Sequence, residues 1–170
     1  MDLTRFATLA EILNGLVATL TLVALIVTIR QSTRAQKALA VDSLAAAIAA
    51  INIPAMESPD LGSSLAHATE DWGAATREER VVAHYYLFSF FRLCESAWYL
   101  RRANILDARQ WEGWEKIMRK FYHSPGVHLG WWPNRRHAYS PAFQAFLADS
   151  APPEEIGSLK DIFDYAPRQA

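Results

Sequence analysis

The sequence is poor in cysteine, in glycine and in net charge, and each scarcity excludes a class of protein. One cysteine among 170 residues forms no intramolecular disulfide, which argues against a small secreted domain held by disulfides. A net charge of −1 offers no global attraction to nucleic acid, so we expect no nucleic-acid partner. The chain also lacks a glycine-rich phosphate loop, a GxSxG motif, an HExxH motif and paired CxxC motifs. The motifs therefore predict no cofactor, no metal and no catalytic residue.

The longest charge-free stretch covers residues 12–29, where 11 of 18 residues are leucine, isoleucine or valine. As a helix it spans about 27 Å at about 1.5 Å per residue, which just crosses the hydrocarbon core of a bilayer. A buried core helix is one alternative, but a soluble helix normally keeps a polar face. A cleavable signal is another, but its only small-residue site, Ala38-Leu39-Ala40, lies beyond a basic cluster. We predict a transmembrane helix over 12–29.

Basic residues near the ends of this stretch predict its orientation. Lysine and arginine favour the cytoplasmic side of a span. The chain has Arg5 before the stretch and three basic residues after it, Arg30, Arg34 and Lys37. We therefore expect a single-pass protein with residues 1–11 outside and the bulk of the chain in the cytoplasm.

The apolar stretch carries a stripe of small and polar residues. Asn14, Thr21 and Thr28 are spaced by seven, so they share one face of a helix with the residues between them. Such a stripe lets two transmembrane helices approach closely and form hydrogen bonds. The alternative is that Asn14 lies near water and the threonines bond to their own helix. The predicted contact face is Asn14, Ala18, Thr21, Leu25 and Thr28.

Residues 30–53 are rich in good helix formers and are predicted to continue the span as a helical stalk, ending at Pro54. Four apolar residues in the distal part follow three-and-four spacing, namely Val41, Leu44, Ile48 and Ile51. This seam fits either a coiled coil or packing on the following domain, and it is too short to choose between them.

Helix-start signals divide residues 54–150 into a predicted bundle of about four to six helices, so the fold class is all-α. Each signal places a capping side chain before a proline or a reciprocal glutamate or glutamine. The starts are Ser58-Pro59, Thr76 with Glu79, Asp107 with Gln110, Ser124-Pro125 and Ser140-Pro141. The principal helix is predicted from residue 77 to about 103. In the tail, 151–170, apolar residues predict a short docking helix: Ile156, Leu159, Ile162 and Phe163.

The principal helix has a wide apolar half, which predicts the centre of the bundle, and a polar row on the other half. The row is His84, Arg92, Glu95, Tyr99 and Arg102. The favoured interpretation is a solvated face with an Arg92–Glu95 ion pair worth a few tenths of a kcal/mol. If neighbouring helices cover the row, the pair is buried instead, and removal of one partner costs several kcal/mol.

Several short motifs together resemble a family of uncharacterised bacterial single-pass membrane proteins. The motifs are FRLCE at 91–95, Tyr99, Leu106-Asp107, Trp111-Glu112-Gly113-Trp114, Pro125-Gly126, Trp131-Trp132 and Ser140-Pro141-Ala142-Phe143. The resemblance implies an N-terminal span, an Ile-Arg-Gln entry to the stalk, a helical cytoplasmic domain and a bacterial inner membrane. It implies no activity and transfers no catalytic residue. This chain differs in having Asn104-Ile105 where a glycine often precedes the Leu-Asp turn.

These observations favour a membrane-anchored interaction or scaffolding module without enzymatic activity, whose partners are the bilayer and other transmembrane helices. One alternative is an accessory subunit of a larger bacterial membrane complex (respiratory, photosynthetic or transport), packed through its span. A second is an enzyme that uses the row containing His84, Arg92 and Glu95, which requires a pocket there.

Overall fold

A computed structural model describes residues 3–153, apart from the side chains of residues 3–10, 12, 54–56 and 59. Within this range every regular element is helical and none is a strand, which confirms the all-α fold class. The predicted docking helix in the tail lies outside the described residues. The elements are α1 (Leu3–Glu57), α2 (Pro59–Glu70), α3 (Arg77–Arg102), α4 (Ala108–His123), a π-helical segment (Gly126–Trp131), α5 (Trp132–Arg135), a 3₁₀ turn (Arg136–Ala138) and α6 (Pro141–Ala148).

The chain forms two compact units, Met1–Ala40 and Val41–Ala170, with the boundary inside α1. In the first unit every described side chain from residue 13 to residue 36 is exposed. Helix α1, which runs through this unit, is long and apolar enough to cross a membrane, and no residue of its most apolar window is buried. The core-helix alternative is therefore not supported, because nothing in the described chain covers this segment.

The second unit is a helical bundle centred on α3, as the wide apolar face predicts. Nine residues of α3 are buried, and Leu87, Phe91 and Cys94 are almost fully enclosed. Aromatic rings fill much of the space around them: Phe91 stacks on Trp131 with ring centroids 5.5 Å apart. Clustered aromatic rings bury a large apolar area and add favourable edge and stacking contacts.

The seam at the end of α1 packs on the bundle. Leu44 is buried in a small cluster with Leu93, Ala97 and Leu106. Val41 and Ile51 are partly buried against the same cluster. Of the two alternatives for the seam, the structure therefore shows packing on the domain.

Helix α1 continues past Pro54 to Glu57, where a break at the proline was expected. A proline removes one backbone hydrogen bond and bends a helix, but near the last turn it leaves most of the ladder intact. Helix α2 then begins at Pro59, with Ser58 as its N-cap residue. The Ser58 side chain makes no capping hydrogen bond, so only the position of this start is confirmed.

The capping boxes of α3 and α4 are both confirmed. Thr76 accepts from the Glu79 backbone N–H at 3.2 Å, and the Glu79 carboxylate accepts from the Thr76 N–H at 2.7 Å. Asp107 and Gln110 make the same reciprocal pair. Between them, Asn104 adopts a positive φ of 55° and ends α3 in the left-handed conformation usual for glycine. The turn therefore forms with asparagine where the resemblance implies a glycine.

The start at Ser124-Pro125 leads into a π-helical segment, which the sequence did not predict. A methyl group on Gly126 would meet the backbone oxygen of Ala68 at 2.1 Å, and one on Gly130 would meet the Trp72 side chain at 2.3 Å. These two glycines let the segment lie directly against the end of α2 and the turn after it. Close packing, rather than a turn, explains both residues: against the backbone of α2 at Gly126 and against the Trp72 side chain at Gly130.

Candidate functional site

The first candidate site is the polar stripe on the apolar helix. At about 100° per residue, its five positions lie within an arc of about 80°, so they do share one face. All five side chains are exposed. The hydroxyl of Thr21 donates to the Val17 carbonyl at 2.8 Å, and that of Thr28 to the Ala24 carbonyl at 2.9 Å. A bond to a second helix would then use the oxygen lone pairs of these hydroxyls, and the contact face stays a prediction.

The second candidate site is the polar row on α3, and its members do not form a single cluster. Arg92, Glu95 and Tyr99 meet around Ser140, at the start of α6. His84 lies at the other end of the row, where its Nδ1 accepts from the Trp131 indole N–H at 3.0 Å. Arg102 stacks over Trp98, with 4.8 Å between the guanidinium carbon and the ring centroid.

Glu95 is buried, with 7% of its surface exposed, so the expectation of a solvated row is wrong at this position. Its Oε1 accepts from the Ser140 backbone N–H at 2.7 Å, and its Oε2 accepts from Arg92 at 3.0 Å. The covering segment is the chain around Tyr139 and Ser140, which folds back from 45 residues further along. This contact is not visible in the spacing of α3 itself.

The carboxylate of Glu95 acts as a bridge between α3 and the start of α6. The carboxylate accepts a hydrogen bond from the backbone N–H of Ser140, which is the N-cap residue of α6. The Ser140 hydroxyl in turn accepts from the Tyr99 hydroxyl at 2.9 Å and from the Phe143 N–H. A negative charge at this end of a helix is also favoured by the helix dipole. The three residues of the row that meet here therefore hold two elements of the bundle together.

Arg92 closes the outer side of this bridge. Its guanidinium lies 5.3 Å from the centroid of Tyr139 and 5.7 Å from that of Phe88, so it contacts two aromatic faces as well as Glu95. Burial raises the pKa of the Tyr139 phenol, with the Arg92 charge acting in the opposite direction. The Tyr139 hydroxyl remains a donor to the Phe88 carbonyl at 3.2 Å.

The surroundings of His84 favour its neutral form. Partial burial and then the charge of Arg135 lower the pKa of His84. A neutral imidazole with Nδ1 as acceptor fits the hydrogen bond donated by Trp131. The role that this geometry supports is orientation of the buried indole.

A groove that the sequence did not indicate lies in the bundle between the end of α1, α3 and α4. Its volume is about 480 Å³. The lining is mainly apolar and aromatic: Ile48, Ile51, Asn52, Tyr86, Phe90, Leu93, Gln110, Gly113, Trp114, Ile117 and Phe121. No residue of the polar row contributes to it. The only sequence signal was Gly113 in the middle of an otherwise good helix.

Comparisons with protein-family models, with curated proteins and with solved structures find no match to this chain. The resemblance to a bacterial family therefore depends on the short motifs, and the structure agrees with its coarse architecture of one apolar N-terminal helix and a helical body.

Proposed function

We propose that the chain is a single-pass membrane protein whose helical domain is an interaction or scaffolding module. The observation that carries this proposal is the exposure of ten leucine, isoleucine and valine side chains between Leu13 and Ile29, each with 42–60% of its surface accessible. Burial of one such side chain is worth about 1.5–3 kcal/mol, so exposure of ten to water is very unfavourable beside a typical folding stability of about 5–15 kcal/mol. A bilayer covers such a helix on all sides.

The proposed orientation has the N-terminus outside and the bundle in the cytoplasm of a bacterium, at the inner membrane. It is supported by the excess of basic residues, Arg30, Arg34 and Lys37, after the apolar stretch. Replacement of these three residues by alanine, with a lysine pair added before residue 12, should invert a fraction of the molecules. Protease treatment of spheroplasts, with an epitope tag on the C-terminus, measures that fraction. A tag that is digested in the unmodified protein would contradict the orientation.

The proposed partners are other transmembrane helices, which meet the stripe that contains Asn14, Thr21 and Thr28. Two arrangements use the same contact face. In one the protein associates with itself, and in the other it is an accessory subunit packed against unlike chains of a larger complex.

The experiment that tests the function is purification from the native membrane in a gentle detergent, with the mass of the intact assembly measured. The test variant carries Asn14→Leu, Thr21→Leu and Thr28→Leu. Thr19→Leu is the matched control, because Thr19 lies about 140° away from Asn14 on the helix and also donates to a carbonyl of its own helix. Loss of an assembly in the test variant and not in the control supports the contact face. The identity of the lost chains then separates a self-associating scaffold from a complex subunit, and an unaltered monomer overturns the proposal of helix partners.

The polar row enters this proposal as structure and not as an active site. His84 bonds to Trp131, Glu95 bonds to Arg92 and Ser140, and Arg102 stacks on Trp98. These contacts support a role for the row in holding the bundle together, and no specific observation favours an enzyme.

A further inference from the structure

The described part of the chain ends beside α4, the helix that forms one wall of the groove. The Ala151 carbonyl accepts from the Nε of Arg119 at 2.9 Å and also from a second nitrogen of the same guanidinium. This contact fixes the end of the bundle against α4. Two prolines follow at 152 and 153, and the sequence continues through residues 154–170. The segment after the prolines therefore starts next to a wall of the groove.

The groove lies within reach of that segment. Arg119 and the groove residue Ile117 are two positions apart, so they lie about 160° apart on α4. For a helix about 10–12 Å across, the path between them over the surface is about 15 Å. Five extended residues span about 17 Å. Ile156, the first large apolar residue of the tail, comes five residues after Ala151.

A strip of basic residues on α4 lies along this path. At about 100° per residue, three basic residues fall within an arc of about 40°: Arg109, Lys116 and Lys120. The strip is about 80° from Arg119 on one side and about 80° from Ile117 on the other. The Lys116 side chain is 73% exposed, although it also pairs with Glu112. A segment that crosses α4 from Arg119 to the groove therefore passes over positive charge.

The tail has the complementary charge. Residues 154–164 contain four acidic residues and one basic residue, and two of the acidic residues, Glu154 and Glu155, come directly after the prolines. Opposite charges on two surfaces steer their encounter and fix their register. The acidic pair precedes Ile156, in the same order in which the basic strip precedes the groove on the path from Arg119.

The apolar residues of the tail match the groove in pattern and length. On a helix, four of them fall within an arc of about 120° and cover about 10 Å: Ile156, Leu159, Ile162 and Phe163. The α4 wall from Gln110 to Phe121 is about 16 Å long. Ile48 and Ile117, on opposite walls of the groove, each expose 38% of their surface. An amphipathic segment would cover these apolar walls.

We infer that residues 154–164 dock in the groove of their own chain. The four apolar side chains lie against the groove walls, and the acidic pair lies over the basic strip. The attachment at Ala151 favours the chain's own groove over that of a second copy, since a short linker gives an effective concentration in about the millimolar range. The inference concerns the bundle alone and does not depend on membrane anchoring. A partner that binds in the groove has to displace the tail first.

The test uses the full chain in a mild detergent, with photoreactive benzoylphenylalanine in place of Phe163. After irradiation, mass spectrometry of the peptides locates the crosslinks. We expect them at the groove walls, in residues 48–52, 86–93 and 110–121. The matched control has the same probe in place of Tyr165, which lies about 160° from Phe163 on a helix. It should give at least fivefold fewer crosslinks to the groove.

Two variants of the tail, each made with the probe at 163, separate apolar contact from charge. Leu159→Asp with Ile162→Asp removes two apolar residues and makes the net charge more negative by two. This variant should reduce the groove crosslinks at least tenfold. Lys160→Asp changes the net charge by the same amount and keeps the apolar residues, so the groove crosslinks should not fall.

A third variant tests the basic strip. Lys116→Glu with Lys120→Glu reverses the charge of two strip residues and should reduce the groove crosslinks several-fold. The effect should weaken as salt is raised, because salt screens exposed charges. Unchanged crosslinking in this variant overturns the assignment of the acidic pair to the strip.

The remaining outcomes are distinguishable. Crosslinks from position 163 to detergent, to another face of the bundle or to nothing overturn the inference, as do groove crosslinks that persist in the variant with two aspartates. A mixture of isotopically light and heavy chains identifies the acceptor. Crosslinked peptide pairs of mixed mass would place the tail in the groove of a second copy and overturn docking within one chain.

Discussion

Leu20 and Leu44 belong to the same helix, yet 60% of the surface of Leu20 is exposed and only 6% of that of Leu44. The two regions differ in the pattern of their apolar residues. Around Leu20 almost every position is apolar, and around Leu44 the large apolar residues recur every three or four positions. A periodic pattern selects one face, which packs on protein, whereas a uniform pattern matches an environment that is apolar in all directions. Pattern, rather than helix propensity, separates the two units.

The largest expected effect tests this comparison directly with one substitution in each region. Leu44→Ala removes a buried side chain between α1 and the bundle and should lower the free energy of unfolding by about 2–5 kcal/mol. Leu20→Ala should leave the unfolding of the bundle unchanged, because the Leu20 side chain is exposed. Chemical denaturation of both variants in detergent measures the difference. Equal losses would show that the two units unfold as one, and the comparison would fail.

The next prediction compares one added methyl group at two glycines. Gly126→Ala forces the π segment away from the Ala68 carbonyl and should cost about 1–3 kcal/mol, in the range of overpacking. Gly113→Ala should instead stabilise the protein by up to about 1 kcal/mol, since α4 has space at that position. Thermal unfolding of the pair gives the two signs. A gain at Gly126 would mean that the segment does not lie against α2 as described.

A smaller effect is expected for Glu95→Gln. The amide oxygen of glutamine still accepts from the Ser140 N–H. The negative charge of Glu95, which strengthens both this bond and the bond donated by Arg92, is lost. Hydrogen bonds to charged groups are worth about 1 kcal/mol more than neutral ones, so a loss of about 1 kcal/mol is expected. Glu112→Gln is the control, because Glu112 makes an exposed pair with Lys116 that should contribute little. If both variants behave alike, the bridge between α3 and α6 adds no stability.

The smallest effect is a pH dependence at the start of α3. Hydrogen bonds from His67 and then from the Thr76 backbone hold the pKa of Glu79 below its ordinary value of 4.5. A carboxyl with a depressed folded-state pKa stabilises the fold above its unfolded pKa and loses that contribution as the pH falls through the folded value. Melting temperatures of wild type and Glu79→Gln should therefore differ at pH 6, and the difference should shrink as the pH falls below 4.5. A gap that grows on acidification would contradict the assignment.

Local features of the sequence predicted much of the fold. The apolar run of 12–29 is continuous in the sequence, and the capping boxes at Thr76 and Asp107 each join residues three positions apart. Spacing in the sequence is therefore sufficient to predict them. The width of the apolar face of α3 predicted that this helix lies at the centre of the bundle. For the same reason the seam around Leu44 was visible as a packing surface, although its partner was not.

The features that the sequence did not predict depend on residues far apart in the chain. Glu95 is buried because Ser140 returns to it across 45 residues, and no periodicity on α3 signals that contact. The π segment depends on the fit of Gly126 against Ala68, which only the tertiary structure shows. The groove is a property of three helices together, so the sequence of α4 alone does not show it.

The core position of Cys94 has a practical consequence. Cys94 is the one cysteine in the sequence. Only 1% of the surface of Cys94 is exposed, and burial raises the pKa of its thiol. Thiolate is the reactive form, so the folded protein gives almost no background with maleimides. A single cysteine introduced at any exposed site can thus carry a fluorophore or a spin label without removal of the native one. The slow rate at which Cys94 itself is modified then measures how often the core opens.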